Sequence, residues 1–201
     1  MKLLAISPGP LDDSWLPKLR QLLPLGSRLG LLLRDTSSNA HLYFQHAQHL
    51  AQLCQSAGVA FFVHRRLDMA LALHAHLHLP GYGLRPSQVR PLLPANQRLS
   101  VSVHNEEEAL LAQGADLALV SPVFSPHSKP GDLRPPLGPQ GFWRLAQQLP
   151  CPAWALGGLS ASTLPLLPKP AGVAVVSALW KADNPLLAAQ TLLACLDEKP
   201  S

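Results

Sequence analysis

Short apolar runs alternate along the chain with longer segments in which apolar residues recur every three or four positions. The short runs are typical of strands buried on both faces, whereas the longer segments are typical of amphipathic helices. Glycine, proline and asparagine separate the two kinds of segment. Strands are predicted at residues 2–7, 29–34, 59–63, 76–79, 99–103, 117–120, 153–156 and 173–176. Helices are predicted at residues 14–23, 39–57, 67–73, 87–93, 105–113, 139–148, 160–167 and 184–196.

The alternation predicts the class of fold. Eight strands alternating with eight helices, at about 25 residues per unit, predict an α/β protein with a (β/α)8 TIM barrel. A doubly wound open sheet stays as the alternative, because a repeated period does not show that the first and last strands pair. With 201 residues and 47% apolar content, residues 1–201 are predicted to form one domain. The chemistry of such barrels lies at the carboxyl ends of the strands, so the residues after each strand are the site candidates.

Residues 155–179 contain two strand ends that stop at small residues. One apolar run ends at Gly157-Gly158 and the next ends at Val176-Ser177, each before a helical pattern. Backbone amides at two such ends can converge on an anion because no large side chain blocks them, which predicts a phosphate-binding cup. The simpler alternative is a tight glycine turn beside a buried strand end.

Charge and cysteine content narrow the classes of function. The formal charge of +4 and the pI near 9.2 suit a small anionic ligand, but the basic residues are dispersed and predict no nucleic-acid binding. The acidic run 106–108 follows Asn105, a predicted helix cap, and is expected to face solvent. No apolar stretch has the length of a membrane span, and no signal peptide is expected. Three cysteines without metal-binding spacing predict reduced thiols in a cytoplasmic protein.

The motifs, taken in order, resemble the thiamine phosphate synthase and TenI-like family of barrels over nearly the whole chain. The most specific motif is the loop SPVFSPHSKPG at residues 121–131, which is similar to the family's GPVFPTxTKP loop. The supporting segments are VHRRLDMALA at residues 63–72, SVHNEEEA at 102–109, GAD at 114–116, ALGGL at 155–159 and GVAVVSAL at 172–179.

The resemblance implies a reaction and a set of site residues. In the synthases, a pyrimidine pyrophosphate loses pyrophosphate with the help of magnesium, and a thiazole phosphate captures the resulting cation. Arg34 and Lys129 are then expected to face pyrophosphate, and Ser102 is expected to lie near the pyrimidine. Electrostatics also requires fixed positive charge at that leaving group. The residues expected to hold the thiazole phosphate are Gly157, Gly158, Val176 and Ser177.

The sequence departs from the family where magnesium would bind. His64-Arg65 stands in place of the family's Asn-Asp pair, and residues 80–83 stand in place of its Gly-Gln-x-Asp turn, so both carboxylates are missing. Magnesium prefers oxygen ligands and Arg65 would repel it, so no metal or other cofactor is expected although the family uses magnesium. Other family positions are replaced by Leu32, Thr36 and Pro126.

These losses favour the TenI-like members of the family, which lack the synthase reaction. One branch of these members tautomerises a thiazole carboxylate phosphate. The synthase reaction and a non-catalytic, regulatory barrel that binds a phosphate ester stay open as alternatives. The mechanism of the tautomerase branch does not transfer directly, because Pro122 occupies the position of its catalytic histidine. The expected partner is a small phosphate ester, without nucleic acid or membrane, and a homodimer is left open.

Histidines supply the candidate acid and base groups, because imidazole titrates near neutral pH. His64, His104 and His127 follow predicted strands and are expected at the mouth of the barrel. His127 is preferred because it shares a loop with Lys129 and with Ser128, a candidate substrate-binding residue.

Two further histidines share one face of a strand. His76 and His78 alternate with Leu77 in the fourth predicted strand, so their side chains point to the same side. A zinc site would need a third ligand, and two histidines at this spacing are a weak signal. The favoured interpretation is that both are packed or hydrogen-bonded residues of the barrel.

Overall fold

The computed structural model describes residues 1–9, 13–125 and 134–198, which form a closed barrel of eight parallel strands. Each strand pairs with the next, and the last pairs with the first, with Val173 opposite Leu3. The predicted TIM barrel is therefore confirmed and the open sheet is wrong. The strands are β1 (Leu3–Ile6), β2 (Leu29–Leu33), β3 (Ala60–His64), β4 (His76–Leu79), β5 (Leu99–Val103), β6 (Leu117–Val120), β7 (Ala153–Leu156) and β8 (Gly172–Val175).

Helices surround the barrel, and three of them begin at an asparagine cap. The side-chain oxygens of Asn39, Asn105 and Asn184 each accept a hydrogen bond from the amide three residues further on. No helix in the described part of the chain is both long and apolar enough to cross a bilayer. The helices are α1 (Leu16–Leu22), α2 (Ala40–Ser56), α3 (Leu67–Ala72), α4 (Pro86–Val89), α5 (Glu106–Leu110), α6 (Gly138–Gln148), α7 (Ser177–Trp180) and α8 (Pro185–Asp197).

The helix predicted at residues 160–167 is wrong, because only a 3-10 turn at Leu164–Leu166 forms there. Ser160 and Thr163 exchange the two hydrogen bonds of a helix capping box, but Pro165 has no amide hydrogen with which to continue the helix. Pro168 then disfavours helical geometry in the residue before it.

Two other helices end earlier than predicted. α4 gives way to a 3-10 turn at Arg90–Leu92 because Pro91 has no amide hydrogen to continue the helix. α5 ends at Leu110, three residues before the predicted end. The short helix α7, directly after β8, was not predicted as a separate element.

Strand residues alternate between the barrel interior and the helical layer, as the two-residue period of a strand requires. In β4 and β5, however, the interior positions are polar, namely His76, His78, Ser100 and Ser102. The apolar residues that form the inner cluster are Leu4, Ile6, Leu32, Phe62, Leu117, Leu119, Trp154 and Ala174. The polar side of the interior faces the cavity described next.

Candidate active site

A cavity of about 400 Å³ opens at the carboxyl ends of the strands. Its wall includes residues from the end of every strand or from the loop that follows it. This volume falls in the range of small-molecule sites. The predicted site residues that line it are Arg34, His64, Ser102, His104, Gly157 and Val176. Gly158 and Ser177 lie in an adjoining recess. His127, Ser128 and Lys129 lie outside the described residues, so their roles stay predictions.

The recess, of about 30 Å³, lies between the ends of β7 and β8. These two strands are hydrogen-bonded neighbours, with Leu156 opposite Ala174. The wall shared by recess and cavity includes Leu156, Gly157 and Val176. Within residues 1–9, 13–125 and 134–198, no hydrogen bond is donated by the backbone amides of Gly157, Gly158, Ser177 and Ala178. The two strand ends are therefore adjacent and carry amides that donate no described hydrogen bond, while phosphate binding there stays a prediction.

Arg34 follows β2 and lines the cavity. Its backbone is fixed by Ser7, whose hydroxyl accepts from the Arg34 amide at 2.8 Å and donates to the Arg34 carbonyl at 3.3 Å. Its guanidinium forms no hydrogen bond or ion pair with any residue that the structure describes. The charge of Arg34 is thus available to an anionic ligand.

A polar cluster inside the barrel forms the floor of the cavity. His78 Nδ1 lies 2.8 Å from the Ser100 hydroxyl, and Nε2 lies 3.0 Å from the Ser102 hydroxyl. Burial lowers the pKa of His78 to about 3, with smaller contributions from nearby cationic groups, so its ring is neutral. A neutral imidazole has one donor and one acceptor nitrogen, so one serine must accept and the other must donate. His78 thereby fixes the orientation of the Ser102 hydroxyl, which lines the cavity.

His64 and His76 pack around this cluster. The His64 ring stacks on that of His78, with 5.7 Å between ring centroids. His76 Nδ1 accepts a hydrogen bond from the Arg98 amide at 3.0 Å, and its ring lies 4.7 Å from that of Phe62. Among the described residues, no three His, Cys, Asp or Glu side chains form a group suited to a metal ion. Packing and hydrogen bonding thus account for His76 and His78.

His104 forms an ion-pair geometry with Glu108. Its Nδ1 lies 2.7 Å from Glu108 Oε2, and its backbone amide donates to the same oxygen at 2.9 Å. Both side chains line the cavity, so the expectation that Glu108 would face solvent is wrong. The available signal was a glutamate at the third position of α5, whose side chain can reach back to backbone amides at the start of the helix.

The cavity wall also includes polar residues that were not selected as site residues from the sequence, among them His78, Tyr82 and Arg134. Tyr82 follows β4, so the strand-end rule placed it near the mouth without giving it a role. Arg134 is 14 residues beyond the end of β6 at Val120, and that distance gave no signal.

The residues at the cavity do not fit a magnesium ion. The positions where the resemblance expects aspartates hold Arg65 and Gly83. Glu108 is the one acidic residue among the described lining residues, and its carboxylate already accepts two hydrogen bonds from His104. Magnesium requires several oxygen ligands in near-octahedral geometry, which the described part of this wall does not offer.

The fold defines the class of protein, a (β/α)8 barrel with a recess between the ends of its last two strands. The sequence profile of the family described as thiamine monophosphate synthase matches residues 3–179. The chain belongs to that family, which confirms the resemblance drawn from its motifs.

Individual relatives agree with this assignment. The chain is 34% identical over 191 residues to the thiamine-phosphate synthase of Chlorobium luteolum, covering 92% of this chain and 89% of that protein. It is 35% identical over 165 residues to the thiamine-phosphate synthase of Chloroflexus aurantiacus, covering 80% and 76%. A solved structure, thiamine phosphate pyrophosphorylase from Pyrococcus furiosus, superposes with a TM-score of 0.80 at 25% identity, covering 98% and 96%.

Proposed function

We propose that this protein is a thiamine phosphate synthase, which joins a pyrimidine pyrophosphate to a thiazole phosphate and releases pyrophosphate. The bond between the pyrimidine's methylene carbon and the pyrophosphate oxygen breaks, and its electron pair leaves with pyrophosphate. The thiazole nitrogen then donates its lone pair to the methylene carbon and forms the new carbon–nitrogen bond. Atoms and electrons balance without an oxidant, a reductant or water.

The observation that carries this proposal is the recess with unbonded amides at the ends of β7 and β8, beside the cavity lined by Arg34. The recess suits a phosphate monoester, while Arg34 supplies fixed positive charge for a second anionic group. A site with two separate anion positions suits a reaction of two phosphorylated substrates. The names of the relatives also favour the synthase over the TenI-like reaction that the sequence alone favoured.

The test is product formation by the purified protein. With pyrimidine pyrophosphate and thiazole phosphate, we expect thiamine phosphate to accumulate, measured by chromatography after oxidation to a fluorescent product. Arg34→Gln should lower kcat/KM about 10- to 100-fold, because a charge-assisted hydrogen bond to the leaving group is lost. The matched control is Arg20→Gln, which removes an exposed arginine of α1. No product above the rate without enzyme would refute the proposal.

The His104–Glu108 pair favours a second function, proton transfer in the isomerisation of a thiazole carboxylate phosphate. Glu108 holds Nδ1 of the ring, so a proton is exchanged with a ligand through Nε2. In deuterated water, NMR should then show solvent deuterium entering the thiazole ligand, and His104→Gln should abolish its incorporation. Absence of deuterium in the ligand incubated with the wild-type protein would exclude this second function.

A further inference from the structure

Two loops that differ from the family at its magnesium positions contact each other in this protein. Arg65 follows β3 and Tyr82 follows β4. Arg65 Nη1 lies 3.4 Å from the Tyr82 hydroxyl, and the guanidinium carbon lies 5.4 Å from the centre of the Tyr82 ring. Tyr82, the neighbour of Gly83 in the second loop, therefore holds the Arg65 cation through a cation–π contact and a hydrogen bond.

The backbone at Arg65 is fixed as well. Its amide donates to the carbonyl of His78 at 2.9 Å, and its φ angle is 65°, in the left-handed region that few residues other than glycine adopt. A polar residue held in such a conformation is a feature that clusters at functional sites. Tyr82 lines the cavity and Arg65 itself does not, so the Arg65 guanidinium lies beside the wall, against Tyr82.

The described wall of the cavity is rich in guanidinium groups and poor in available carboxylates. Arg34 and Arg134 line it, and Arg65, which is not a lining residue, contacts the lining residue Tyr82. The carboxylate of Glu108 is engaged by His104. This balance of charge suits a polyanion and disfavours a divalent cation, which needs several oxygen ligands.

We infer that the protein binds the pyrophosphate group of its substrate with arginine side chains, Arg65 and Arg134 together with Arg34, in place of a magnesium ion. A guanidinium is always charged, and its planar fork of donors matches two phosphate oxygens at once. Three such groups supply positive charge of the size that a leaving pyrophosphate requires. The inference rests on the proposed function, which supplies the pyrophosphate.

Titration calorimetry with inorganic pyrophosphate tests the inference. In EDTA, the wild-type protein should bind pyrophosphate at least as tightly as in magnesium. Arg65→Asn should weaken binding about 10-fold, since asparagine removes the charge but tolerates the left-handed backbone. Arg134→Gln should have an effect of similar size, and the control Arg144→Gln, on the exposed face of α6, should match the wild type.

Binding of pyrophosphate only when magnesium is present would overturn the inference. Binding in EDTA that neither Arg65→Asn nor Arg134→Gln weakens would overturn it too, as would no binding at all. If pyrophosphate binds in EDTA and Arg65→Asn weakens it, but no thiamine phosphate forms, the arginine site stands and the synthase proposal falls. Circular dichroism of each variant shows whether a loss of binding comes from unfolding instead.

Discussion

Gly158→Ala is expected to lower the free energy of unfolding by about 3 kcal/mol and to abolish binding of thiazole phosphate. Gly158 has a φ angle of +62°, where a side chain costs about 1 to 2 kcal/mol. A Cβ atom there would also lie 2.6 Å from Phe124 Cβ and 2.8 Å from the carbonyl oxygen of Ser125. The chain must shift to relieve these contacts, and the recess between β7 and β8 would change shape. Denaturant unfolding and calorimetry with thiazole phosphate measure the two effects.

The matched control is Gly58→Ala. Gly58 has a φ angle of +67°, but no atom lies within 4 Å of the Cβ that alanine would add. This variant should therefore lose only the backbone contribution of about 1 to 2 kcal/mol and should keep wild-type ligand binding. The difference between the two variants isolates the close approach of the β7 exit to the loop after β6. Equal stability losses in both variants would contradict the packing described for Gly158.

Most strands could be predicted from the sequence because they read as short apolar runs, whereas β4 and β5 show the alternation of apolar and polar residues that a strand gives. Four of the predicted strands match the structure at both ends, as β5 does at Leu99–Val103. The turns after some strands could not be predicted in this way. After Thr163, Pro165 stops the helix that the apolar spacing suggested, because proline has no amide hydrogen and the spacing of apolar residues takes no account of that loss.

The residues of the candidate site likewise fall into those that the sequence could place and those whose contacts it could not show. Residues directly after a strand, such as Arg34 and Gly157, follow from barrel topology alone, because every strand end opens on the same face. The role of Ser100 follows from register instead, since it lies opposite His78 across β4 and β5. The contact between Arg65 and Tyr82 likewise joins two loops that the sequence separates. Pairings across strands set these contacts, and a single sequence does not reveal them.

The buried histidines make stability depend on pH in a specific window. An unfolded histidine has a pKa near 6.5, whereas burial lowers the pKa of folded His78 to about 3. Between these values the unfolded chain binds a proton that the folded chain does not. The stabilisation from keeping His78 neutral is therefore complete above pH 6.5 and is lost progressively as the pH falls toward 3. His76, whose pKa burial lowers to about 4, acts in the same direction.

Lowering the pH from 7 to 5 should accordingly reduce the free energy of unfolding by about 2 kcal/mol through His78 alone, a fall in Tm of about 4 to 8 °C. His78→Gln should be less stable at pH 7, because its amide reaches the two serines less well. It should nevertheless show a pH dependence that is shallower by about 2 kcal/mol, since glutamine does not titrate. The matched control His41→Gln, at an exposed position of α2, should keep the wild-type slope. Calorimetric unfolding across this pH range measures the stability of all three proteins. If the free energy of unfolding of His78→Gln depends on pH as steeply as that of the wild type, the ring is not held neutral between Ser100 and Ser102.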